Sequence, residues 1–379
     1  MTTALWLLGV VGFVIALAAT IAVHEWGHLF AAKKFKLDVP EYSVGFGPKL
    51  FTKTRNGTAY SVRMIPLGGF VMIKDPHSEE GTDEQMLLSH VSPWKRTVVF
   101  LAGPAVNILI GLTLLIGLFM TVTIQTPNGH IESVCTDSSV ACPAEKAGIK
   151  DGDQIVAVDG EAVTDPTNIS AILQEHLADA PESIEVTVAR NGAEETVTLA
   201  PVYSEEEKRA LIGVTLAADE TRPTFVQSTQ ATGRMIETQI RGVMAIPSKV
   251  PLLIDAITGH ERDPETPVSV VGAARYSGDV TASTELTSTN KFQNFWLLVA
   301  SFNLGIGILN LLPFLPLDGG RILIAFFDAV KKRWAKVSKK EYAPTGTRFI
   351  GAMTAVFGVL LLGYMGLVIV ADLVNPVSL

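Results

Sequence analysis

The stretch that decides the fold is "ALWLLGVVGFVIALAATIAVHEWGHLF", Ala4 to Phe30, a long apolar run that ends in an HExxH pattern. A helix of about twenty apolar residues is long enough to cross the hydrocarbon core of a bilayer. The run has no basic start and no small-residue cleavage pattern ahead of HEWGH, so we interpret it as a retained span and not a signal peptide. The sequence therefore predicts a strongly polar motif inside a membrane helix.

The composition supports a membrane protein. Of 379 residues, 48% are hydrophobic and only 18% are charged, and the mean hydropathy is +0.34. This composition is too apolar for an ordinary soluble protein. Three further segments are long and apolar enough to span: Val98 to Ile124, Phe295 to Leu317 and Phe349 to Val370. We predict a polytopic α-helical membrane protein with about four transmembrane helices, a membrane-associated β-hairpin and an extracytoplasmic α+β domain.

The charges predict an orientation. Between Gln125 and Lys291 there are 12 Lys and Arg against 26 Asp and Glu, whereas clusters of basic residues flank the ends of the spans. Because basic loops remain in the cytoplasm, residues 33–95 and 321–348 are predicted to be cytoplasmic. The acidic middle region and both termini are then outside, in an inner or plasma membrane. The basic residues form no stripe of the kind that binds nucleic acid, so no nucleic-acid partner is expected.

The HExxH pattern predicts a metal site. Residues four apart lie on one helical face, so His24 and His28 can bind a single ion, while Glu25 lies close enough to act on a metal-bound water. The alternative is a pair of packing histidines, but such polar groups at lipid depth need a compensating partner. A catalytic zinc keeps three protein ligands. The third is not supplied locally, because Ala31 and Lys34 stand where a longer zinc motif needs Gly and His.

The third ligand has to come from elsewhere in the chain. Glu79, Glu80 and Glu84 lie in a charged loop, with no apolar helix to direct them. Asp318 ends the apolar run "FNLGIGILNLLPFLPLD", and an ionisable group there is a functional candidate. The alternative is an interfacial Asp that caps the next helix.

Two segments could hold a peptide substrate. Asn303 and Asn310 are seven residues apart, hence on one helical face, and their amides can bind backbone groups. Between residues 40 and 73, alternating residues and the Asn56-Gly57 turn predict a β-hairpin. Its edge, at Val62 and Met64, could add an extended substrate strand.

The middle region has a different character. The segment "ACPAEKAGIKDGDQIVAVDGEAV" and the two strands around Asn191-Gly192 resemble a bacterial PDZ domain, which implies a groove for an extended peptide. Cys135 and Cys142 lie on the side predicted to be outside, where a disulfide is permitted, and two unpaired thiols are the alternative. Farther on, Met235, Ile236, Ile240 and neighbours predict an amphipathic helix, either on the membrane surface or packed on the PDZ-like domain.

Taken together, the motifs resemble those of the site-2 protease family of intramembrane zinc metalloproteases. The resemblance rests on HEWGH, on "NLLPFLPLDGG" from Asn310 to Gly320, and on "FLAGPAVN" and "PLGGFV". It implies His24, His28 and Asp318 as ligands of Zn²⁺, Glu25 as the general base, and Asn310 as a substrate-holding residue.

The resemblance also implies a substrate and a domain plan. We expect the substrates to be single-pass membrane proteins, either anti-sigma factors that have already been cut once outside the membrane or signal-peptide remnants. The PDZ domain is expected to contact the substrate ectodomain. Lipid is expected to surround the spans. The expected segments are a first membrane half (1–124), the PDZ domain (125–203), a following region with the amphipathic helix (204–293) and a second membrane half (294–379). The alternatives are a catalytically silent PDZ scaffold with a structural zinc site, and an ion-coupled transporter, which the lack of inverted halves disfavours.

Overall fold

The computed structural model describes residues 2–75, 88–135, 142–177, 182–204, 209–260, 262–263, 266–342, 345 and 347–376. Its helices are α1 Thr2–Lys34, α2 Pro93–Phe119, α3 Pro143–Lys146, α4 Ile169–Leu177, α5 Phe225–Met244, α6 Ile246–Ile257, α7 Val270–Ala282, α8 Ser288–Asn310, α9 Asp318–Ser338 and α10 Thr347–Val374. Its strands are β1 Glu41–Arg55, β2 Thr58–Met72, β3 Ile124–Val134, β4 Gln154–Val158, β5 Glu161–Ala162, β6 Ile184–Arg190, β7 Ala193–Leu199, β8 Val202–Ser204, β9 Arg209–Leu211 and β10 Val214–Thr221.

Four of these helices, α1, α2, α8 and α10, are long and apolar enough to cross a membrane. They correspond to the four predicted spans, but two begin and end several residues earlier than expected. Helix α2 begins at Pro93, which suits a first helical turn because its missing N–H has no partner to lose there. Helix α8 ends at Asn310, ahead of Pro313 and Pro316, which cannot continue it. Residues 311–317, which follow Asn310, therefore form a turn between α8 and α9.

The chain forms two compact units, one from Met1–Met120 with Phe225–Leu379 and one from Thr121–Thr224. The domain limits expected from sequence remain predictions. Residues beyond 203 nevertheless take part in the second unit, because β10 pairs with β3 along most of its length. Glu79, Glu80 and Glu84 lie outside the described residues.

The first unit is held together by close helix crossings at small residues. A Cβ added at Gly27 would overlap the Ala102 backbone, and one at Gly111 would lie 2.7 Å from Leu304. Small residues let helix backbones approach closely in lipid, where no hydrophobic effect drives association. Helix α2 packs in this way on α1 and α8. The predicted amphipathic helix also joins this unit, because Met235 and Ile236 of α5 pack against α2 and α8.

The second unit is built on a sheet with the strand order β10-β3-β4-β6-β7, and β5 pairs with β4. Alternate residues of β4 and β6, including Ile155 and Val186, meet Ile169 and Leu173 of α4 in its core. The predicted turn at Asn191-Gly192 joins β6 to β7, with φ of 51° and 84°. Cys135 and Cys142 form a disulfide with a Cα separation of 5.8 Å, so the pairing that the sequence permitted is present.

A buried ion pair joins the start of α2 to α9. Arg96 Nη1 donates to Asp328 Oδ2 at 2.8 Å, and both side chains are almost completely buried. Thr345 hydrogen-bonds the other oxygen of this carboxylate. Its backbone N–H donates to Asp328 Oδ1 at 3.1 Å, and its hydroxyl donates to the same atom at 2.8 Å. Because α9 begins at Asp318, this pair fixes the helix that carries the predicted third ligand.

Replacing Arg96 alone is expected to leave a buried, unpaired carboxylate. Arg96→Met should therefore lower the free energy of unfolding by about 3–5 kcal/mol. The double variant Arg96→Met/Asp328→Leu, which removes both charges, should recover most of that loss. Reversible denaturant unfolding in detergent micelles measures both. Equal losses in the single and double variants would show that the charge pair is not what stabilises this contact.

Candidate metal centre

Three buried side chains converge on one point in the first unit. His24 Nε2 and His28 Nε2 lie 3.2 and 3.3 Å from Asp318 Oδ2, and 3.2 Å from each other. Each of the three residues is only 7% exposed. Among the described residues, this is the one group of potential metal ligands that is not part of a disulfide. The structure thus brings together the three residues that the sequence singled out as ligands.

The separations of these atoms fit a zinc ion. Zinc in proteins binds His nitrogen and carboxylate oxygen at about 2.0–2.2 Å in tetrahedral geometry, which separates neighbouring ligand atoms by about 3.3 Å. The three observed distances, 3.2, 3.2 and 3.3 Å, agree with that spacing. Three protein ligands leave a fourth position for water, as in catalytic sites, whereas structural sites are usually closed by four.

Three glycines allow this convergence. A Cβ at Gly103 would overlap the His28 imidazole, so only glycine lets α2 pass beside this ring. After Asp318, a Cβ at Gly319 would overlap the carbonyls of Leu311 and Leu312, and one at Gly320 would lie 2.5 Å from the Phe314 backbone. The first turn of α9 therefore packs directly beneath the turn that follows α8. This close packing carries Asp318 to the histidines.

Helix α2 also orients both imidazoles. His28 Nδ1 donates to the Val99 carbonyl at 2.7 Å, which leaves Nε2 to bind a metal. Asn107 lies 3.4 Å from His24 Nδ1 through its amide nitrogen, and its Oδ1 has no hydrogen-bond partner among the described residues. A half-turn of the amide lets Oδ1 accept from His24 Nδ1–H, the tautomer that a metal at Nε2 requires. The sequence gives no sign of this contact, because Asn107 lies 83 residues after His24.

A cavity of 340 Å³ opens beside the three ligands. Glu25 lines it, as predicted for a general base, and so does Asn310, the predicted substrate-holding residue. Arg321, one turn after Asp318, also lines the cavity, with its guanidinium 5.5 Å above the Phe100 ring. Its place one helical turn from Asp318 was the only sequence signal for it, and that signal was not used. The cavity therefore holds a potential base, an amide and a cation next to a candidate metal site.

Asn303 is not part of this cavity. It is 1% exposed, and its Nδ2 donates to Thr20 Oγ1 at 3.0 Å and to the Val299 carbonyl at 2.9 Å. Asn303 and Asn310 are both on α8, as predicted, but the cavity reaches only Asn310, at the C-terminal end of this helix. Asn303 thus joins α8 to α1, and its assignment to substrate binding is corrected.

The open edge of the β-hairpin differs from the predicted one. Val62 pairs with Val44 on one side and with Phe51 on the other, so its backbone lies inside the sheet. Met64 belongs to the same part of β2 and does not line the cavity. Strand β2 is long enough to fold back on β1, so that its last residues, Gly69–Met72, pair with Glu41–Val44 and form an outer row of the sheet. A second pairing of β1 with β2 was not visible in the alternation of side chains.

This outer row, residues 69–72, is the edge segment next to the site. Gly69, Phe70 and Val71 line the cavity, and a Cβ added at Gly69 would lie 2.9 Å from Glu25 Cγ. Within the described part of the chain, no other strand pairs with its outer side. A sheet edge of this kind offers unpaired backbone groups to an incoming strand.

A polar cluster fixes the edge segment from behind. Arg63 donates to Glu41 Oε1 at 2.9 Å and to Ser43 Oγ at 2.8 Å, and its guanidinium lies 5.1 Å from the Phe70 ring centre. Burial raises the pKa of Glu41, but hydrogen bonds from Ser61, Lys49 and Arg63 outweigh it and lower the pKa to about 2. Glu41 is therefore charged at every physiological pH.

Comparison with known proteins gives a consistent result. The model of "Peptidase family M50" matches residues 12–354. The chain is 31% identical to Zinc metalloprotease Rip1 of Mycolicibacterium smegmatis, and to that of Mycobacterium tuberculosis strain H37Rv, over 98% of each chain. It is 32% identical to a putative zinc metalloprotease of Fusobacterium nucleatum over 85% of this chain and 90% of that protein.

The role of Asn107 can be tested through the affinity for zinc. Asn107→Leu removes the acceptor for His24 Nδ1–H and should weaken zinc binding about 10–100-fold. Asn107→Asp keeps an acceptor and should retain most of the affinity. Competition with a chelator of known affinity measures both, with Asn303→Leu as a control for a buried amide outside the site. A Leu variant with native zinc affinity would contradict this role.

Proposed function

The chain belongs to peptidase family M50 and is a zinc-dependent metalloendopeptidase, and we propose that it cuts transmembrane segments of other proteins within the membrane. One observation carries the proposal. Both histidines lie on α1, a helix that is long and apolar enough to span, and the buried carboxylate beside them comes from the start of α9. A site built at this depth is reached by a substrate that is itself in the membrane.

The residues take the following roles in the proposed reaction. When bound to His24, His28 and Asp318, zinc would lower the pKa of a water and polarise the scissile carbonyl. Glu25 accepts the proton of the attacking water and transfers it to the leaving nitrogen, so that water adds across the broken C–N bond. Asn107 and the Val99 carbonyl keep both Nε2 atoms directed at the metal position.

A transmembrane helix has to unwind before it is cut, because its carbonyls are occupied by hydrogen bonds within the helix. The edge segment 69–72 is the element that could hold the unwound strand. It runs past Glu25, its outer side is unpaired among the described residues, and Asn310 lies across the same cavity. Pairing with an edge strand would satisfy the backbone groups that unwinding exposes in lipid.

The proposed orientation puts the site near the cytoplasmic face. Lys33 and Lys34 end α1 only five residues after His28, and Lys95 lies near the start of α2. Basic residues at the ends of spans favour the cytoplasmic side. The Thr121–Thr224 unit, proposed to be a PDZ domain, then lies outside, where its disulfide is stable. There it would contact substrate ectodomains. It would admit only substrates whose ectodomain has already been cut once, such as anti-sigma factors.

The alternative of a silent scaffold with a structural zinc finds less support. A structural zinc usually has a fourth protein ligand, and the cluster among the described residues has three. Beside them is a cavity with a glutamate, which a purely structural site would not need.

Glu25→Gln should abolish cleavage while leaving the metal bound. The amide cannot accept the proton of water, so the rate should fall about 10²–10⁴-fold, whereas all three ligands remain. The assay uses the full chain reconstituted in vesicles with a model single-pass substrate, and the zinc content is measured on the same sample. Asp318→Asn is the matched comparison, which should lose zinc as well as activity. An active Glu25→Gln protein would overturn the mechanism.

The edge segment can be tested by cross-linking. In the Glu25→Gln background, a Val71→Cys protein should form disulfides with substrate cysteines at every second position, because side chains alternate along a paired strand. The native cysteines are already joined to each other. Val62→Cys, whose backbone is paired on both sides, is the control and should give no such alternation. Contacts repeating every three to four positions would mean that the substrate binds here as a helix.

A further inference from the structure

Helix α9 carries an exposed apolar stripe that the proteolytic site does not use. Its side chains recur at helical spacing and are 36% to 80% exposed: Leu323, Phe326, Phe327, Val330, Trp334 and Val337. At about 100° per residue they fall within an arc of roughly 100° on one side of the helix. So regular an arrangement marks a face that packs on something other than water.

The opposite side of α9 is the one that packs on this chain. Ile324, Ala325 and Asp328 are buried, and Asp328 binds Arg96 at the start of α2. The stripe therefore faces away from the helix core of the first unit. With its charged residues, α9 is not among the candidate spanning helices. Its amphipathic character is that of a helix at a membrane interface.

Basic residues lie on both sides of the stripe and on the far side of α9, and they continue past the end of the helix. Six are exposed: Lys331, Lys332, Arg333, Lys336, Lys339 and Lys340. Lys331 lies to one side of the stripe and Arg333 to the other, by helical angle. The acidic groups of α9, Asp318 and Asp328, are buried and already paired, and Glu341 is the nearest exposed acid in sequence. The surface thus combines apolar side chains with a dense, nearly uncompensated positive charge.

We propose that this face of α9 binds anionic phospholipid of the cytoplasmic leaflet. The aromatic and aliphatic stripe contacts the acyl chains, and the basic residues bind the phosphate headgroups. Charge complementarity selects the occupant, since an anionic leaflet attracts clustered Lys and Arg next to a membrane helix. Trp334 belongs to the stripe and is flanked in sequence by basic residues, so its ring can lie at the headgroup level that tryptophan favours. The proposal rests on the orientation proposed above and does not depend on the proteolytic step.

The first experiment measures lipid preference directly. The full chain is reconstituted in phosphatidylcholine vesicles that contain traces of spin-labelled phosphatidylglycerol or spin-labelled phosphatidylcholine, and the protein-associated fraction of each is compared. We expect several-fold selectivity for phosphatidylglycerol that falls as salt is raised. A variant with Lys331, Lys332, Arg333 and Lys336 changed to Gln should lose most of it. A control variant changes Lys146 and Lys150, exposed basic residues of the Thr121–Thr224 unit, to Gln and should keep the selectivity.

A second measurement tests whether lipid covers the stripe. Phosphatidylcholine with brominated chains should quench the fluorescence of the native protein more than that of Trp334→Phe, because bromine quenches only tryptophans that it contacts. Equal quenching would mean that Trp334 is shielded, as by a second copy of the chain, and would overturn the proposal. Equal retention of both spin-labelled lipids by the native protein would overturn it as well. Zinc content verifies the fold of each variant, so loss of proteolysis alone bears only on the proposed function.

Discussion

The structure depends on bringing three polar atoms together within 3.3 Å in an apolar setting. Two imidazoles and a carboxylate at this depth are costly unless they bind an ion or one another. Two come from one helix, and the third lies nearly three hundred residues later in the sequence. Each unusual residue nearby can be understood from this requirement. Gly103 makes room for a ring, Gly319 and Gly320 let the carboxylate approach, and the pair of Arg96 and Asp328 fixes the helix that carries it.

The same arrangement determines what surrounds the site. Helices α1, α2 and α9 surround the ligands, and the remaining side is closed by the folded-back edge of a β-hairpin. A sheet edge would be a liability in lipid, where every backbone group needs a partner. Here it adjoins a polar cavity, which is the setting in which such an edge is tolerated. The position of Glu25 against Gly69 couples the chemistry to this edge, because any larger residue at 69 would displace the glutamate.

Sequence could predict the features that depend on local spacing or on rare residues. The four spans, the hairpin turn at Asn56-Gly57 and the three converging ligands were found in this way. What it could not predict depends on which side of an element faces which neighbour. Asn303 and Asn310 share a helical face, yet only Asn310 reaches the cavity. Val62 was expected at an edge, but β1 pairs twice with β2 and encloses it. Nothing in one sequence indicates that Asn107 lies beside His24.

Helix α9 has a consequence beyond the residues that it supplies. It is a continuous rod with a metal-binding carboxylate at its first residue and its first exposed lysine thirteen residues later, a distance of about 20 Å at 1.5 Å per residue. In the proposed orientation the lysine end is held among headgroups, so the rod sets an upper limit on how far below the surface a peptide bond can be cut. The depth of a peptide bond in the membrane would then limit which bonds the enzyme can cut. Two substrates with the same residues but different positions along the membrane normal would not be equivalent to it.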